Sequence, residues 1–262
     1  MPYGIVHLAA VPVRAEPSDR SEMTSQLLFG DLIEQLETKD KWTHVRACYD
    51  GYEGWINPRQ AFALEIGEYE QHRSESRFAL SDAVAVAESN GWVQLLPMGA
   101  SLPFLQSGGG STQFRLAGRV FTLHGNAADT ARARITEELI QATAMKLLHA
   151  PYMWGGKTAL GIDCSGFTQV VFKVLGIPLK RDAYQQAEQG RAVNMLEQAQ
   201  CGDAAFFHNE AGRIVHVGIL LDNKTIVHAS GQVRIDRIDH QGIFNVERKA
   251  YTHQLKFIKR LV

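Results

Sequence analysis

The sequence is poor in cysteine, with only Cys48, Cys164 and Cys201 among its 262 residues. An odd and low count argues against a framework of disulfides. The three cysteines also lack the close paired spacing with histidine that structural zinc sites use, so neither a metal nor a cofactor is predicted. A single thiol with a chemical role fits this pattern better.

No sign of charge dominates, since 27 Lys and Arg residues stand against 28 Asp and Glu residues, for a formal net charge of -1 at pH 7. A nucleic-acid partner would normally leave a basic face in the sequence, and none is visible, so we do not expect one. Long apolar runs are missing as well. No stretch approaches the ~18 uninterrupted apolar residues of a membrane-spanning helix.

The N-terminal segment has no basic stretch at its start, and its apolar run is broken by His7 and Pro12. It therefore does not match a secretory signal, and we expect a cytoplasmic protein without membrane attachment. Hydrophobic residues make up 45% of the chain and charged residues 21%, an ordinary globular composition. The length is enough for two or three compact units, and the sequence leaves the oligomeric state open.

The first 66 residues alternate strand-like segments with polar turns. The predicted strands are Gly4–Ala9, Leu27–Leu36, Trp42–Ala47 and Gly54–Ile56. Short strands joined by turns that carry Gly and Asp are typical of a small all-β barrel. Three segments resemble those of bacterial SH3-like domains: Gly30-Asp31-Leu32-Ile33-Glu34, Lys41-Trp42-Thr43-His44-Val45-Arg46 and Gly51-Tyr52-Glu53-Gly54-Trp55-Ile56. The resemblance implies an SH3-like barrel over residues 1–68.

Residues 69–128 show a weaker pattern of the same kind. The predicted strands are Ala83–Ala87, Trp92–Leu95, Ser101–Leu105 and Arg115–Leu123, with a loop at Ser107–Ser111. The glycines of that loop favour a turn. The simplest interpretation is a second, diverged SH3-like barrel.

The pattern changes again over residues 129–262. Apolar residues at helical spacing predict one helix between Thr136 and Pro151 and a second over Phe167–Leu175. Strand-like runs then follow at Ala204–His208, Arg213–Leu221, Thr225–His228 and Leu255–Leu261. Helices followed by a run of strands indicate an α+β domain.

Cys164 lies in the segment Gly161-Ile162-Asp163-Cys164-Ser165-Gly166-Phe167, directly before the second predicted helix. Unpaired N–H groups and the helix dipole favour an anion there, so we expect a lowered thiol pKa. The same N–H groups can hold the oxyanion that forms when a carbonyl is attacked. A buried structural cysteine is the alternative.

Two histidines lie on neighbouring predicted strands. His216 belongs to Arg213–Leu221, where Gly218 on the same face leaves room beside it, and His228 follows 12 residues later. Adjacent antiparallel strands would place the two rings side by side, so that His228 could orient His216 as the base of Cys164. Either histidine alone is more often a polar residue at a strand edge.

The C-terminal half resembles the NlpC-type bacterial cell-wall cysteine peptidases. The motifs that carry this resemblance are Pro151-Tyr152-Met153-Trp154-Gly155-Gly156, Asp163-Cys164-Ser165-Gly166-Phe167, Gly202-Asp203, His216-Val217-Gly218-Ile219 and His228-Ala229-Ser230. The resemblance implies a papain-like domain over residues 129–262. It makes Cys164 the nucleophile, His216 the base and His228 the orienting residue. It also implies cleavage of the γ-D-glutamyl bond of peptidoglycan peptides.

The same resemblance implies further site residues. Tyr152 would place its hydroxyl near the thiol, and the substrate pocket would be lined by Asp163, Ser165 and Trp154. In the subgroup with tandem SH3-like domains, the position of Arg181-Asp182 helps to bind the free amine of an N-terminal L-Ala. An exposed Arg–Asp pair on a loop is the alternative. The first barrel would add a tyrosine and an acidic residue, for which the candidates are Tyr52 or Tyr49 and Glu16 or Glu22.

The sequence thus predicts two SH3-like barrels followed by a papain-like thiol peptidase. Its substrate would be a muropeptide, L-Ala-γ-D-Glu-diamino acid, cleaved before lysine or diaminopimelate in cell-wall recycling. Two other functions stay open at this point. One is a non-catalytic protein that binds peptidoglycan, and the other is an acyl- or amidotransferase that uses the same thiol.

Overall fold

The computed structural model describes residues 2–132 and 134–262. The chain divides into two compact units. The first contains the described residues before Arg134 together with Lys157–Ala159, and the second contains Arg134–Gly156 and Leu160–Val262. Within the described residues, no helix is both long and apolar enough to cross a membrane.

The first unit opens with a seven-stranded antiparallel sheet. Its strands are β1 (Tyr3–Val6), β2 (Ala10–Arg14), β3 (Met23–Leu28), β4 (Leu32–Lys39), β5 (Trp42–Ala47), β6 (Glu53–Ile56) and β7 (Ala61–Leu64). They are hydrogen-bonded in the order β3-β2-β6-β5-β4-β1-β7. The inward side chains are small and branched, among them Val11, Val45 and Ile56, and they form one buried cluster. This core is the one expected for a small β-barrel.

One predicted strand, Leu27–Leu36, is two strands in the structure. β3 ends at Leu28 and β4 begins at Leu32, because Gly30 has a φ of 77° and turns the chain between them. A left-handed backbone of this kind favours glycine. The Asp31 carboxylate closes the turn by accepting a hydrogen bond from the N–H of Leu28 at 2.8 Å.

The remainder of the first unit contains one helix and a second sheet. Its elements are α1 (Ile66–Glu75), β8 (Phe78–Leu80), β9 (Val84–Ser89), β10 (Trp92–Pro97), β11 (Gln106–Gly108), β12 (Ser111–Leu116), β13 (Arg119–His124) and β14 (Ala127–Asp129). Five of the strands form an antiparallel sheet in the order β10-β9-β13-β12-β11. Phe114 and Phe121 of this sheet share a buried cluster with Phe29 of the first sheet.

Three predictions for this region differ from the structure. Ser101–Leu105 is not a strand, and Phe104 within it has a φ of 55°. The predicted Arg115–Leu123 strand is broken by a turn at Ala117 and Gly118, both of which have positive φ. The helix α1 was not predicted at all, because only Tyr69 and His72 are buried in it and an apolar stripe is therefore lacking. The boundaries at 68/69 and 128/129 stay predictions.

The rest of the chain supplies the remaining elements. They are α2 (Glu137–Met145), β15 (Lys157–Thr158), β16 (Gly161–Ile162), α3 (Cys164–Val174), α4 (Ala183–Gln186), β17 (Arg191–Val193), β18 (Asp203–His208), β19 (Ile214–Leu220), β20 (Thr225–Ser230), β21 (Gln232–Ile238), β22 (Gly242–Asn245) and β23 (Ala250–Arg260). The two predicted helices and the four predicted strands occur in the predicted order. The elements that were not predicted are β15, β16, α4, β17, β21 and β22.

The second unit is built on an antiparallel sheet in the order β17-β23-β18-β19-β20-β21-β22. β22 also pairs with β23, so six of these strands close on themselves. The helix α3 packs against β19 and β20, and all eleven of its residues are buried. This packing holds the start of α3 close to the middle of β19.

Candidate active site

Cys164 is the first residue of α3, as the sequence predicts to within one turn. Asp163 is the N-cap, and its carboxylate accepts a hydrogen bond from the N–H of Gly166 at 2.6 Å. Asp is among the preferred N-cap residues because its oxygen satisfies one of the free N–H groups of the first turn. The thiol is nearly buried, with 5% of the residue exposed. It therefore sits at a fixed point beside the open N–H groups of a helix.

A buried ion pair fixes the loop that precedes this helix. The Arg181 guanidinium binds both carboxylate oxygens of Asp163, at 2.6 and 3.1 Å, and only 1% of Arg181 is exposed. The N–H of Gly155 donates to the same carboxylate at 2.8 Å, and Arg181 also donates to Ser165 Oγ at 2.9 Å. The exposed Arg–Asp loop pair considered above is therefore ruled out for Arg181, whose partner is Asp163.

The pKa of the Cys164 thiol is raised rather than lowered. Burial is the main cause and the Asp163 carboxylate the next, and together they bring it to about 12. Hydrogen bonds from the backbone N–H groups of Val217 and Ser165 oppose this rise without overcoming it. The predicted lowering of the thiol pKa is wrong because burial destabilises the thiolate more than the start of the helix stabilises it. Val217 directly follows His216, so the thiol lies against the strand that carries the imidazole.

His216 and His228 meet on adjacent strands, as predicted. Nε2 of His216 and Nδ1 of His228 are 2.9 Å apart, and both residues are buried. Burial lowers the pKa of His216 well below 6.5, and the rings of His228 and His253 lower it further. A ring that stays neutral at physiological pH can accept a proton, which a general base has to do.

Gly218 makes this meeting possible, although for a different reason from the one predicted. It pairs with His228 across the sheet, and a Cβ on Gly218 would lie 2.8 Å from Cβ of His228. The space beside Gly218 is thus filled by His228 rather than left open for His216. A side chain at position 218 would push the second histidine away from the first.

Sequence reasoning missed the carboxylate behind His228. Asp236 on β21 is buried, and its Oδ2 lies 3.0 Å from Nε2 of His228. Arg234 donates to both oxygens of Asp236, at 2.7 and 3.0 Å. β21 pairs with β20 so that Arg234 lies opposite His228, and Asp236 is two residues further on the same face. A prediction of the tight hairpin at Gly231 would have revealed this residue.

Sequence reasoning also missed His253 on β23. Its ring stacks on His216, with centroids 4.1 Å apart and an angle of 27° between the planes. Burial and the neighbouring His228 lower the pKa of His253 to about 4. His253 lies two residues before the predicted strand Leu255–Leu261, and its role is not visible until the full length and the pairing of β23 are known.

The three rings of His216, His228 and His253 bring one nitrogen each within 4.8 Å of one another, a spacing at which histidines can hold a metal ion. Two of these nitrogens are already joined in the His216–His228 hydrogen bond. The His216 and His253 rings are stacked, whereas in-plane lone pairs that share one metal have to converge. The site fits a metal poorly, and the absence of a bound metal stays a prediction.

Tyr152 and Trp154 belong to the same site segment. The N–H of Tyr152 donates to the carbonyl of Gly231, which links this segment to the β20–β21 hairpin. Burial raises the pKa of the Tyr152 hydroxyl to about 12, with the Cys164 thiolate and Asp163 as further causes, so the hydroxyl stays protonated. Trp154 is 60% exposed. Their roles toward a substrate stay predictions.

Asp182 is partly buried directly before α4. Its N–H donates to Gln185 Oε1 at 3.1 Å in a capping box. The remaining candidates, Tyr49, Tyr52, Glu16 and Glu22, belong to the first unit. Tyr49 and Tyr52 line a small cavity there together with Asp50, and Glu16 and Glu22 are exposed between β2 and β3. Binding of substrate by these residues stays a prediction.

Comparison with known proteins identifies the family of this chain. The NlpC/P60 family model matches residues 149–251, and the model described as bacterial dipeptidyl-peptidase Sh3 domain matches residues 13–60. The γ-D-glutamyl-L-lysine dipeptidyl-peptidase of Bacillus subtilis is 30% identical over 219 residues, which are 78% of this chain and 71% of that protein. The chain belongs to the NlpC/P60 family. The predicted resemblance to this family is therefore confirmed, and so is the prediction of a cysteine peptidase.

Two further NlpC/P60-related comparisons extend over nearly the whole chain. Dipeptidyl-peptidase 6 of Lysinibacillus sphaericus is 28% identical over 251 residues, 87% of this chain and 88% of that one. The crystal structure of an NlpC/P60 family protein from Bacillus cereus superposes with a TM-score of 0.85 at 19% identity and covers 99% of both chains. At that identity the superposition shows a shared fold and no more.

Proposed function

We propose that this NlpC/P60 protein hydrolyses the bond between γ-D-glutamate and a diamino acid in small peptides derived from peptidoglycan. The observation that carries the proposal is the buried Cys164 thiol at the first turn of α3. It lies against the strand of His216, which is hydrogen-bonded to His228. The name of the Bacillus subtilis relative supports the choice of bond, and the name of the Lysinibacillus sphaericus relative supports release of a dipeptide.

The resting site holds a neutral thiol and a neutral imidazole, because burial raises the pKa of Cys164 and lowers the pKa of His216. The proton of Cys164 therefore moves to His216 as the sulfur attacks the γ-carbonyl carbon of D-glutamate. The open N–H groups at the start of α3 stabilise the oxyanion. His216 then gives the proton to the nitrogen of the diamino acid as the C–N bond breaks.

The remaining thioester is cleaved by water. His216 takes a proton from the water as its oxygen attacks the thioester carbonyl, and the sulfur leaves and recovers the proton. The products are L-Ala-γ-D-Glu and the free thiol. In this scheme His228 orients His216, and Tyr152 borders the thiol with a protonated hydroxyl.

Incubation with L-Ala-γ-D-Glu-L-Lys and with its diaminopimelate analogue tests the proposal. Mass spectrometry is expected to show release of L-Ala-γ-D-Glu from at least one of them, and no release with Cys164→Ala. Binding without turnover would support the non-catalytic alternative instead. Full release by Cys164→Ala would refute the thiol mechanism.

Recognition of a free L-Ala amine is the finer part of the proposal. Asp182 supplies a carboxylate, and the resemblance adds Tyr52 and Glu16 from the first unit. An ammonium bound by a desolvated carboxylate is worth roughly 2–5 kcal/mol. Acetylation of the L-Ala amine should therefore abolish cleavage, whereas equal rates on capped and free peptides would remove this role.

The proposal also includes the second SH3-like domain, the papain-like core and a place in cell-wall recycling. The five-stranded sheet of β9–β13 supports the second domain, and the buried α3 packed on β19 and β20 supports the papain-like core. Cytoplasmic location stays a prediction that subcellular fractionation of the native organism tests.

A further inference from the structure

Asp236 ends a hydrogen-bonded chain that begins at the catalytic imidazole. His216 Nε2 and His228 Nδ1 are 2.9 Å apart, and His228 Nε2 and Asp236 Oδ2 are 3.0 Å apart. All three side chains are buried, and the Asp236 side chain is only 3% exposed. Each of these three ring nitrogens therefore has one hydrogen-bond partner, and burial keeps water from competing for it.

Arg234 keeps the end of this chain anionic. Its guanidinium donates to both oxygens of Asp236, at 2.7 and 3.0 Å, while its own side chain is 18% exposed. An ionised carboxylate can only accept hydrogen bonds. The proton between Asp236 and His228 must therefore sit on Nε2 of His228.

The positions of the other protons on the two rings follow from this one. With one proton on His228, held on Nε2 by Asp236, Nδ1 of that ring is bare and can only accept. The hydrogen bond between the two rings then requires the proton of His216 to sit on Nε2. Nδ1 of His216 is left bare, and it is the only nitrogen of that ring available to take a proton from Cys164.

We infer that Asp236 is a positioning residue that selects the reactive tautomer of His216 through His228, with Arg234 holding the carboxylate in place. The inference deepens the proposed function and rests on it for the kinetic part of its test. A carboxylate that orients a base directly is a known device in serine peptidases. Here the Asp236 carboxylate acts on His216 indirectly, through the ring of His228.

A purely structural ion pair would also explain the Asp236–Arg234 contact, so the test has to separate the two roles. Asp236→Asn preserves shape but offers an amide. Oδ2 of Asp236 faces both Nε2 of His228 and Nε of Arg234, so the informative orientation of Asp236→Asn is the one in which its NH2 group replaces Oδ2 and donates to Nε2 of His228, with the amide oxygen toward Nη2 of Arg234. His228 would then donate from Nδ1 to His216, and the proton of His216 would move to Nδ1, where it blocks the base.

Nitrogen NMR of the full chain labelled with 15N-histidine reads the tautomers directly, with His216→Gln and His228→Gln used to assign the signals. The expected result for the unmodified protein is a proton on Nε2 of both rings. Asp236→Asn is expected to move the proton of His216 to Nδ1. A proton on Nδ1 of His216 in the unmodified protein would overturn the inference, whether or not any peptide is cleaved.

Kinetics on the tripeptide that the protein cleaves give the second readout. Carboxylates behind metal-bound histidines are worth roughly 10–100-fold in activity. We expect Asp236→Asn to lower kcat by about that factor with KM nearly unchanged, and Asp236→Glu to retain more of kcat. Glu247→Gln is the matched control, since it removes the other carboxylate that Arg234 contacts, at 3.3 Å, and leaves Asp236 in place.

The control should keep kcat within about twofold, as surface substitutions do. An unchanged kcat in a folded Asp236→Asn variant whose His216 proton has moved to Nδ1 would overturn the inference. If that variant fails to fold, the tautomer of His216 in the unmodified protein decides alone.

Discussion

Two Asp–Arg pairs with buried carboxylates flank the thiol and the imidazole, and they differ in the groups that they bind. We call Asp163, Arg181 and the start of α3 the thiol side, and His216, His228, Arg234 and Asp236 the imidazole side. On the thiol side the carboxylate binds Arg181 and backbone N–H groups, and it fixes a loop and a helix start. On the imidazole side the carboxylate binds Arg234 and a ring nitrogen.

The difference indicates that an Asp–Arg pair can either stabilise the backbone or orient a histidine. Which of the two it does depends on the other group that the carboxylate binds. Arg181 is completely buried, so the thiol-side pair has no water to replace a lost partner. Arg234 reaches solvent, and Asp236 keeps a hydrogen bond from His228 when Arg234 is removed. We therefore expect stability to depend more on the thiol side and proton transfer more on the imidazole side.

The largest expected effect is on the thiol side. Arg181→Met should lower the free energy of unfolding by about 3–5 kcal/mol, because it leaves the Asp163 carboxylate buried without its countercharge. Arg234→Met is the matched variant and should cost about 1.5–3 kcal/mol, the value of a hydrogen bond to a charged group. Urea unfolding followed by circular dichroism measures both. A larger loss for Arg234→Met would reverse the comparison.

Gly218→Ala should damage the imidazole side alone. The added methyl group would lie 2.8 Å from His228 Cβ and 2.8 Å from Ile226 Cδ1, so the β20 side chains have to shift. Overpacking of this kind costs about 1–3 kcal/mol, and we expect a marked loss of kcat with it. Alkylation of Cys164 by iodoacetamide measures the reactivity of the thiol, and peptide cleavage measures the function of His216 as the base. Unchanged cleavage in this variant would show that the His216–His228 contact is dispensable.

Acid should separate the two sides, because His216 belongs to the imidazole side and His253 stacks on it. The pKa values of His216 and His253 are lowered by burial in the folded state, whereas the unfolded chain titrates near 6.5. Below pH 6.5 the unfolded state binds more protons, so the free energy of unfolding should fall as pH falls from 6.5 toward 4, by at most about 1.4 kcal/mol per pH unit for each histidine.

Urea midpoints at pH 7, 6 and 5 measure this slope. His253→Phe keeps a ring stacked on His216 and removes one titrating group, so its slope should be smaller. Asp236 contributes with the same sign, but at lower pH. Burial raises its pKa, but the hydrogen bonds from His228 and Arg234 outweigh burial and lower it, so its contribution is lost only below about pH 3.8. A stability that rises between pH 6.5 and 5 would contradict the prediction.

The smallest expected effect concerns Tyr152, whose segment touches both sides. Its N–H reaches Gly231 of the β20–β21 hairpin, and its backbone pairs with Ile162 before α3. Tyr152→Phe removes the hydroxyl, and a hydrogen bond from it to a substrate would be worth about 0.5–1.5 kcal/mol, so kcat/KM should fall by about 2- to 10-fold. Steady-state kinetics measure it, with Tyr251→Phe as control, because the exposed Tyr251 hydroxyl donates its hydrogen bond to Asp239. A loss above a hundredfold would assign Tyr152 to the chemical step itself.

Much of the site was predictable because its signals are local. A cysteine after an N-cap aspartate, and a histidine on each of two strand-like runs, are visible in short windows of sequence. The elements that were missed or merged have weak local signals. The polar helix α1 has no apolar stripe, and the split of Leu27–Leu36 depends on one glycine with positive φ.

By itself, the sequence determined the place of Cys164 at a helix start, the paired histidines, the β-rich start and the family, because residue type and spacing carry that information. Only the tertiary structure decided that Arg181 binds Asp163, that Asp236 stands behind His228 and that His253 stacks on His216. These contacts depend on strand register and on closure of the sheet by β23, which are set by long-range pairing. The raised pKa of the Cys164 thiol also depended on the tertiary structure, because burial is a property of the packed core and not of a motif.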